Sequence, residues 1–308
     1  MQNASRTIQT NGGDIVYWSN STAQTTGNRG ILISDSSTLD TRTAADRLAA
    51  THTTGGGMIV LGGGSTTATS AKGTTIPTGY ALDYPSLPAG LMVGSFNAGV
   101  GHNANVRMFS GGGDVVWRGR ATIGLNDLVI GISAFEGVIV NAGTTGDITL
   151  DGVAVGKSTA AGMDINGYRL GTASSSYLTV DGDILFTGSA TGATNFNVGT
   201  QLGSSAGFPI ILAATGAGTV TVRGATSGAA PDINLTDVQL LSGSGSVSVL
   251  ADRAGGKITQ GGTVSLKLGQ TPSSVVTSSS ASVLLRADVF EVTSTNGCLL
   301  YTSPSPRD

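Results

Sequence analysis

One segment of the chain has the spacing of a serine nucleophile, Gly-Ser-Ser-Ala-Gly at residues 203–207. In hydrolases with the G-x-S-x-G spacing, the serine lies on a sharp turn between a strand and a helix, and a histidine later in the chain accepts its proton. Here both histidines, His52 and His102, precede the motif. Gly and Ser are so common in this chain that chance matches are expected. We therefore interpret Ser205 as a turn residue.

Four aspartates follow glycine at one position of a recurring pattern; they are Asp14, Asp114, Asp147 and Asp183. A column of carboxylates could bind Ca²⁺ or line the groove of a polysaccharide lyase. Capping of the turn explains the same recurrence, because an Asp after Gly can hydrogen-bond the turn backbone. Other copies carry Met58, Thr219, Ser246 or Thr263 there, and the Gly-Gly-x-Gly-x-Asp calcium repeat is absent. We favour capping over metal binding.

Other catalytic and metal-binding arrangements have little support. Neither histidine has Cys, Asp or Glu at metal-ligand spacing. Asp127 and Glu136 could pair as glycosidase carboxylates, but the sequence cannot supply the separation that such a pair needs. No P-loop is present: Gly-Lys-Ser occurs at residues 156–158, but Asp151 stands where the pattern G-x-x-x-x-G-K-S/T requires its first glycine. We predict no catalytic residue, metal or cofactor, and we assign Trp18, Trp117 and Phe186 to the core rather than to carbohydrate stacking.

The composition indicates a turn-rich β protein. Of 308 residues, 48 are Gly, only 11% are charged, and the net charge is −3. A protein that binds nucleic acid is usually more basic, and no apolar run reaches the roughly 18 residues of a membrane span. We therefore expect neither nucleic-acid partners nor a membrane span.

The elements that would position any site are short strands after Gly-rich turns. A turn, a small polar residue and an apolar–x–apolar step recur, and period 2 puts both apolar residues on one face. The inward column is predicted as Ile15, Ile59, Val115, Ile148, Ile184, Val220, Val247 and Val264. A second inward column is Tyr17, Leu61, Trp117, Leu150, Phe186, Val222, Val249 and Leu266.

Three architectures suit such strands: a sandwich, a closed barrel and a parallel β-helix. Sandwiches and barrels need hairpins, whose Asn-Gly and Asp-Gly turns are a minority here. Coils that stack like turns on like turns explain the aligned Gly and apolar columns directly. We predict an all-β protein, a right-handed parallel β-helix, with one repeat region over residues 1–297.

Two segments depart from the repeat. Residues 40–54 fit either one short helix capped by Thr43 or a loop. Residues 65–110 contain three prolines, which cannot donate to a ladder, so part of this stretch is predicted to form a loop-rich excursion. Loops on a rigid scaffold often carry recognition. The candidate recognition residues there are Tyr80, Tyr84, Phe96 and His102. The alternative is that the loop only covers one side of the helix, with its aromatic side chains packed against it.

The last eleven residues, 298–308, resemble the translation of a sequencing adapter. They hold the single Cys of the chain, Cys298. We expect the natural sequence to be interrupted near Gly297 and this tail, including Leu299, Leu300 and Tyr301, to lack packing partners. The rest of the chain then has no cysteine for disulfides or thiolate chemistry.

The motifs Gly-Gly-Asp-Ile-Val-Tyr-Trp (12–18), Gly-Gly-Gly-Asp-Val-Val-Trp (111–117) and Gly-Asp-Ile-Thr-Leu-Asp-Gly (146–152) resemble filamentous haemagglutinin-like exoproteins of Gram-negative bacteria. The resemblance implies a β-helical shaft at the outer cell surface or outside the cell. It also implies export by outer-membrane secretion machinery, and contact with glycans or proteins of host or neighbouring cells. We expect a structural or adhesive shaft without catalysis; the alternative is a glycan-active β-helix enzyme, a polysaccharide lyase or hydrolase.

Overall fold

The computed structural model describes residues 2–4, 6–19, 30–34, 36–48, 54–63, 76–82, 89–93, 105–121, 128–135, 137–156, 159–165, 174–192, 196–203, 208–268 and 282–292. Within these ranges the protein is almost entirely β, with one short helix, α1 (Ala44–Leu48). No helix of the described ranges has the length and hydropathy needed to cross a membrane. The predicted lack of packing in residues 298–308 concerns a segment outside these ranges.

The strands follow one another along the chain. They are β1 (Gln2–Ala4), β2 (Thr7–Gln9), β3 (Ile15–Ser19), β4 (Ile31–Ser34), β5 (Thr38–Asp40), β6 (Ile59–Gly63), β7 (Ala81–Leu82), β8 (Ala89–Val93), β9 (Arg107–Phe109), β10 (Val115–Ala121), β11 (Leu128–Ala134), β12 (Ile139–Asn141), β13 (Ile148–Val155), β14 (Thr159–Ile165), β15 (Ser175–Thr179), β16 (Ile184–Thr191), β17 (Phe196–Leu202), β18 (Ile210–Ala214), β19 (Val220–Thr226), β20 (Ile233–Ser242), β21 (Val247–Ala251), β22 (Lys257–Leu268), β23 (Val283–Arg286) and β24 (Val289–Val292).

The strands form two sheets in which each described pairing between named strands is parallel. The large sheet has 15 strands and contains two ladders, which β20 and β22 join because each of these long strands runs through both. The small sheet has nine strands and is the third ladder. The chain visits the three ladders in a fixed order, so one circuit makes one coil of a solenoid.

The predicted inward column is confirmed over seven coils. Ile148 pairs with Ile184, Ile184 with Val220, and Val220 with Val247, and all four are fully buried. Strands of adjacent coils are about 4.8 Å apart, so these side chains stack into a continuous core. The second column follows the same rule, with Leu150 beside Phe186 and Phe186 beside Val222.

The last member of each predicted column is wrong. Val264 and Leu266 belong to β22 of the large sheet, where they pair with Val238 and Leu240. The small-sheet positions in this coil are taken by Val283 and Leu285, which pair with Val247 and Val249. The reason is that the Gly-Gly pair at residues 261–262 lies within β22, between its two large-sheet ladders, and not at the turn into the small sheet. A period of 2 identifies a strand but not the ladder to which it belongs.

The widest part of the core holds an aromatic cluster. The Trp117 and Tyr177 ring centroids are 6.0 Å apart, and those of Tyr177 and Phe186 are 5.0 Å apart, both edge to face. All three side chains are fully buried, which supports the assignment of Trp117 and Phe186 to packing. Trp18, assigned to the core from the sequence, is only partly buried and lies outside this cluster.

A narrow seam of facing glycines divides the interior. Gly152 and Gly188 lie in the small sheet, opposite Gly162 and Gly199 of the large sheet. A Cβ added to Gly152 would lie 2.1 Å from the Gly162 carbonyl oxygen, and one added to Gly188 would lie 2.1 Å from the Gly199 carbonyl oxygen. The two backbones are therefore in direct contact. A second, small cluster of buried apolar residues lies apart from the main core; its members are Ala121, Val129, Ala154, Ala160 and Ala190.

The two segments that depart from the repeat are both partly built into the solenoid. Thr43 caps α1, because its Oγ1 accepts a hydrogen bond from the Asp46 N–H at 3.2 Å. The helix alternative for residues 40–54 is therefore the correct one. Within residues 65–110, β8 and β9 are regular members of the large sheet. Residues 76–82, which we name the strap, include β7 and pair with β10 and, through Gly79, antiparallel with Gly63.

Candidate functional site

The outer face of the small sheet brings charged side chains into one row. Strand β10 alternates, so that Trp117 points into the core while Arg118 and Arg120 point outward. The row continues in register across the next coils. Its members are Arg118, Asp151, Thr187, Arg223, Leu250 and Arg286.

The strap covers one end of this face. A Cβ added to Gly62 would lie 3.0 Å from the Gly79 carbonyl oxygen and 3.5 Å from the Pro77 side chain. The absence of a side chain at Gly62 therefore makes room for the strap. Arg118 binds the strap to β10, because its Nη1 donates a hydrogen bond to the Pro77 carbonyl oxygen at 3.3 Å.

Tyr80, at the end of the strap, reaches into the charged row. Its hydroxyl donates a hydrogen bond to Asp151 Oδ2 at 2.6 Å. Burial, that hydrogen bond and the charge of Asp151 raise the pKa of Tyr80 to about 12, against a smaller opposite effect of Arg118 and Arg120. Tyr80 therefore stays protonated near neutral pH, where it acts as a hydrogen-bond donor and not as a base.

Three coils further along, the same face carries an ion-pair network. Asp252 accepts from Arg223 through Nε at 2.8 Å and Nη2 at 3.1 Å, and from Arg286 Nη2 at 3.1 Å. The Asp252 hydrogen bond raises the pKa of Arg223 further, so its charge is permanent. One carboxylate thus lies between two guanidinium groups.

The recurring aspartates form an acidic edge, at the turns that lead into the small sheet. Each Oδ1 accepts from a backbone N–H one coil further on. Asp14 accepts from Met58 at 2.8 Å, Asp114 from Asp147 at 3.0 Å and Asp147 from Asp183 at 2.8 Å. The carboxylates do cap backbone groups, as predicted, but the bonded N–H belongs to the neighbouring coil.

At Asp147, burial and the neighbouring carboxylates both disfavour the charged form. Burial, with a smaller contribution from the charges of Asp114 and Asp183, raises the pKa of Asp147, while the hydrogen bond from the Asp183 backbone opposes the shift. Within the described ranges, no three His, Cys, Asp or Glu side chains are grouped so that they could hold a metal ion. These carboxylates therefore stabilise the contact between adjacent coils by hydrogen bonds.

Of the four candidate recognition residues, the structure describes Tyr80 alone. Tyr84, Phe96 and His102 lie outside the described ranges, and so do several residues weighed for catalysis or metal binding, which are His52, Asp127, Glu136 and Ser205. The neighbours of Tyr80, by contrast, were not singled out from the sequence.

The sequence of β10 contains a pattern that could have predicted the two arginines near Tyr80. Arg118 and Arg120 follow the apolar–x–apolar step at alternate positions, so period 2 alone places them together on the outer face. Their contact with Tyr80 depends on a hydrogen bond across 71 residues of chain, and no local pattern encodes it.

No family model, no curated protein and no solved structure matches this chain.

Proposed function

We propose that this chain is a structural and adhesive shaft segment of a large bacterial exoprotein, at the outer cell surface or secreted, and that it has no catalytic activity. In this proposal the solenoid is a right-handed parallel β-helix of the filamentous haemagglutinin-like kind. Outer-membrane secretion machinery exports the parent protein, and surface glycans or proteins of host or neighbouring cells are its partners.

The observation that carries the proposal is that successive coils are joined by the same bonds. The 36-residue steps from Ile148 to Ile184 and from Ile184 to Val220 keep every register position. The carboxylate of Asp147 binds the next coil as that of Asp183 does, and Asp183 accepts from the Thr219 N–H at 2.7 Å. Because each coil contacts only its neighbours, such a stack can be lengthened without changing the contacts of existing coils. That property suits a spacer.

The test is to lengthen the stack. We expect insertion of a second copy of residues 148–219, two full coils, to leave the protein folded and to lengthen it by about 10 Å. X-ray scattering in solution measures the length, and circular dichroism measures the β content. The control duplicates residues 148–203. This insertion omits β18, so one inserted coil lacks its strand in one ladder of the large sheet, and the protein should unfold or aggregate. A folded protein of unchanged length after the two-coil insertion would contradict the shaft.

The adhesive part of the proposal has its own test. Latex beads coated with the chain are expected to attach to bacterial or animal cells more often than beads coated with the heat-unfolded chain. Equal attachment would remove adhesion and leave a purely structural shaft.

A specific observation also favours the alternative, a glycan-active enzyme. Such an enzyme should gather charged side chains on one strand face, and the small sheet gathers Arg118, Asp151, Arg223 and Arg286 there. The measurement is release of new sugar ends from acidic and neutral polysaccharides. Cleavage by the purified protein that disappears in Asp151→Asn would replace the shaft by the enzyme; bound but intact polysaccharide supports the shaft.

A further inference from the structure

We propose that the outer face of the small sheet, next to the strap, binds a linear polysaccharide whose sugars carry carboxylates. The site consists of Arg118, Arg120, Tyr80 and Asp151, and extends toward Arg223. The inference gives the proposed adhesive shaft a ligand class and rests on that role for its biological setting.

The first support is positive charge that no carboxylate of the described ranges neutralises by an ion pair. Arg118 and Arg120 are two residues apart in β10, so their Cα atoms lie about 7 Å apart on the same face. Neither makes an ion pair with a carboxylate of the described ranges. Arg120 is exposed. Two guanidinium groups at this spacing are available to an anionic ligand.

The second support is the rigid placement of the other two groups. The hydrogen bond to Asp151 and the pairing of β7 with β10 hold Tyr80 in place. Its ring is partly exposed and offers a flat surface for a sugar. Asp151 is also partly exposed, and its carboxylate can accept from sugar hydroxyls. Groups fixed before binding lower the entropy cost of binding.

The third support comes from the other end of the same row. There, the Asp252 carboxylate lies between Arg223 and Arg286 at 2.8–3.1 Å. Asp252 is therefore an anionic group that this face binds through two guanidinium groups. At the strap, the Asp151 carboxylate accepts a hydrogen bond from Tyr80. It makes no ion pair with Arg118 or Arg120. The carboxylate of a sugar can therefore take the role that Asp252 has at the other end of the row.

The fourth support is the surface between the two ends, which favours a linear ligand. The positions that follow Asp151 and Val153 in register are Thr187 and Ser189, both partly exposed hydroxyls. Arg223 follows Thr187. From Arg118 to Arg223 there are three coil steps, about 14 Å. A chain of sugars running along the solenoid would meet the two arginines, then the Asp151 carboxylate and the hydroxyls, and then Arg223.

The experiment measures binding of polygalacturonate to the purified full chain by biolayer interferometry at low salt. The matched ligand is fully methyl-esterified polygalacturonate, which keeps the backbone and loses the charge; dextran sulfate tests sulfate in place of carboxylate. The variants are Arg120→Gln and the double variant Arg118→Gln/Arg120→Gln. The control is Arg107→Gln, an exposed arginine on the large sheet.

We expect polygalacturonate to bind the unaltered chain and Arg107→Gln equally, and the double variant at least tenfold more weakly. We expect the esterified polymer and dextran sulfate to bind at least tenfold more weakly than polygalacturonate. If the double variant does not fold, Arg120→Gln decides the question, because Arg120 is exposed, and it should lower affinity several-fold.

Three results would overturn the proposal: no binding of polygalacturonate, equal loss in Arg107→Gln, or dextran sulfate binding as tightly as polygalacturonate. None of these affects the lengthening experiment, so failure of the ligand and failure of the shaft are distinguishable.

Discussion

The coils from Ile148 to Ala251 and those before Ala121 follow the same path with very different regularity. In the later region, two successive steps of the small sheet take 36 residues each. In the earlier region the steps from Ile15 to Ile59 and from Ile59 to Val115 take 44 and 56 residues, yet these residues pair in register and are buried. The extra residues are accommodated between ladder positions. Insertions therefore change the surface of a coil without changing the register of its buried side chains.

The contrast also locates the candidate site. In the earlier region an insertion returns to the small sheet as the strap and brings Tyr80 to Asp151. In the later region the same row of the face is closed by its own ion pairs. The regular coils contribute Asp151 to the candidate site, and the irregular coils contribute Tyr80 and the two arginines of β10.

The largest expected effect tests whether the regular coils depend on their buried column. Ile184→Asp places a carboxylate at a fully buried position with no cation beside it, and we expect a loss of about 4 kcal/mol or more in the free energy of unfolding. Urea unfolding measures it. The control is Leu185→Asp, on the outer face of the same strand. Equal loss in the two variants would show that the inward assignment is wrong.

The next effect concerns the glycine seam, where the backbones of the two sheets are in contact. Gly188→Ala would put a Cβ 2.1 Å from the Gly199 carbonyl oxygen. Backbone must then move, and we expect a loss of about 3 kcal/mol. Gly228→Ala is the control, because an added Cβ there meets nothing closer than the Asn197 side chain at 3.9 Å. A neutral Gly188→Ala would mean that the two sheets are not in backbone contact.

A third prediction examines the shortest coil of the later region, which turns at residues 227–231. The buried Asp232 carboxylate accepts from the Thr226 N–H, the Lys257 N–H and Arg253 Nε, each at 2.7 Å. Asp232→Ala leaves these donors unpaired, and we expect a loss of about 3 kcal/mol. The exposed Asp181, which accepts from the Ala217 N–H at 2.9 Å, provides the control Asp181→Ala. Comparable losses in thermal unfolding would contradict a special role for Asp232.

The smallest effect compares a stacked aspartate with an isolated one. Because the fold raises the pKa of Asp147, the folded state binds this proton more tightly than the unfolded state does. The stability lost to this group is therefore regained as pH falls from neutral through its raised pKa. Asp147→Asn keeps an acceptor for the Asp183 N–H and removes the charge, so we expect slightly higher stability at pH 7 and a weaker pH dependence.

The matched control for that variant is Asp14→Asn in the earlier region. Asp14 is followed in the next coil by Met58 and not by a second carboxylate. We expect it to show no gain at pH 7. Equal responses of the two variants in unfolding experiments from pH 4 to pH 8 would show that charge stacking contributes nothing.

The sequence predicted what repeats and missed what occurs once. The pairing of Ile148, Ile184 and Val220 follows from period 2 and from equal spacing, which act locally. The misplacement of Val264 shows the limit, because its Gly-Thr-Val-Ser-Leu pattern suits either sheet, and only packing decides. The meeting of Tyr80 with Asp151 is a single long-range contact without periodicity. For that reason one aromatic residue was predicted and its charged neighbours were not.

The seam of facing glycines has a mechanical consequence. Side chains in a core can change rotamer when they are squeezed, whereas two backbones in contact have no such freedom. At Gly152 and Gly188 the two sheets touch through main-chain atoms, so the cross-section resists flattening most strongly there. Under a load perpendicular to the solenoid axis, we expect the solenoid to bend in the direction that does not press the two sheets together at the seam. Its stiffness is therefore directional, set by residues that contribute no side chain at all.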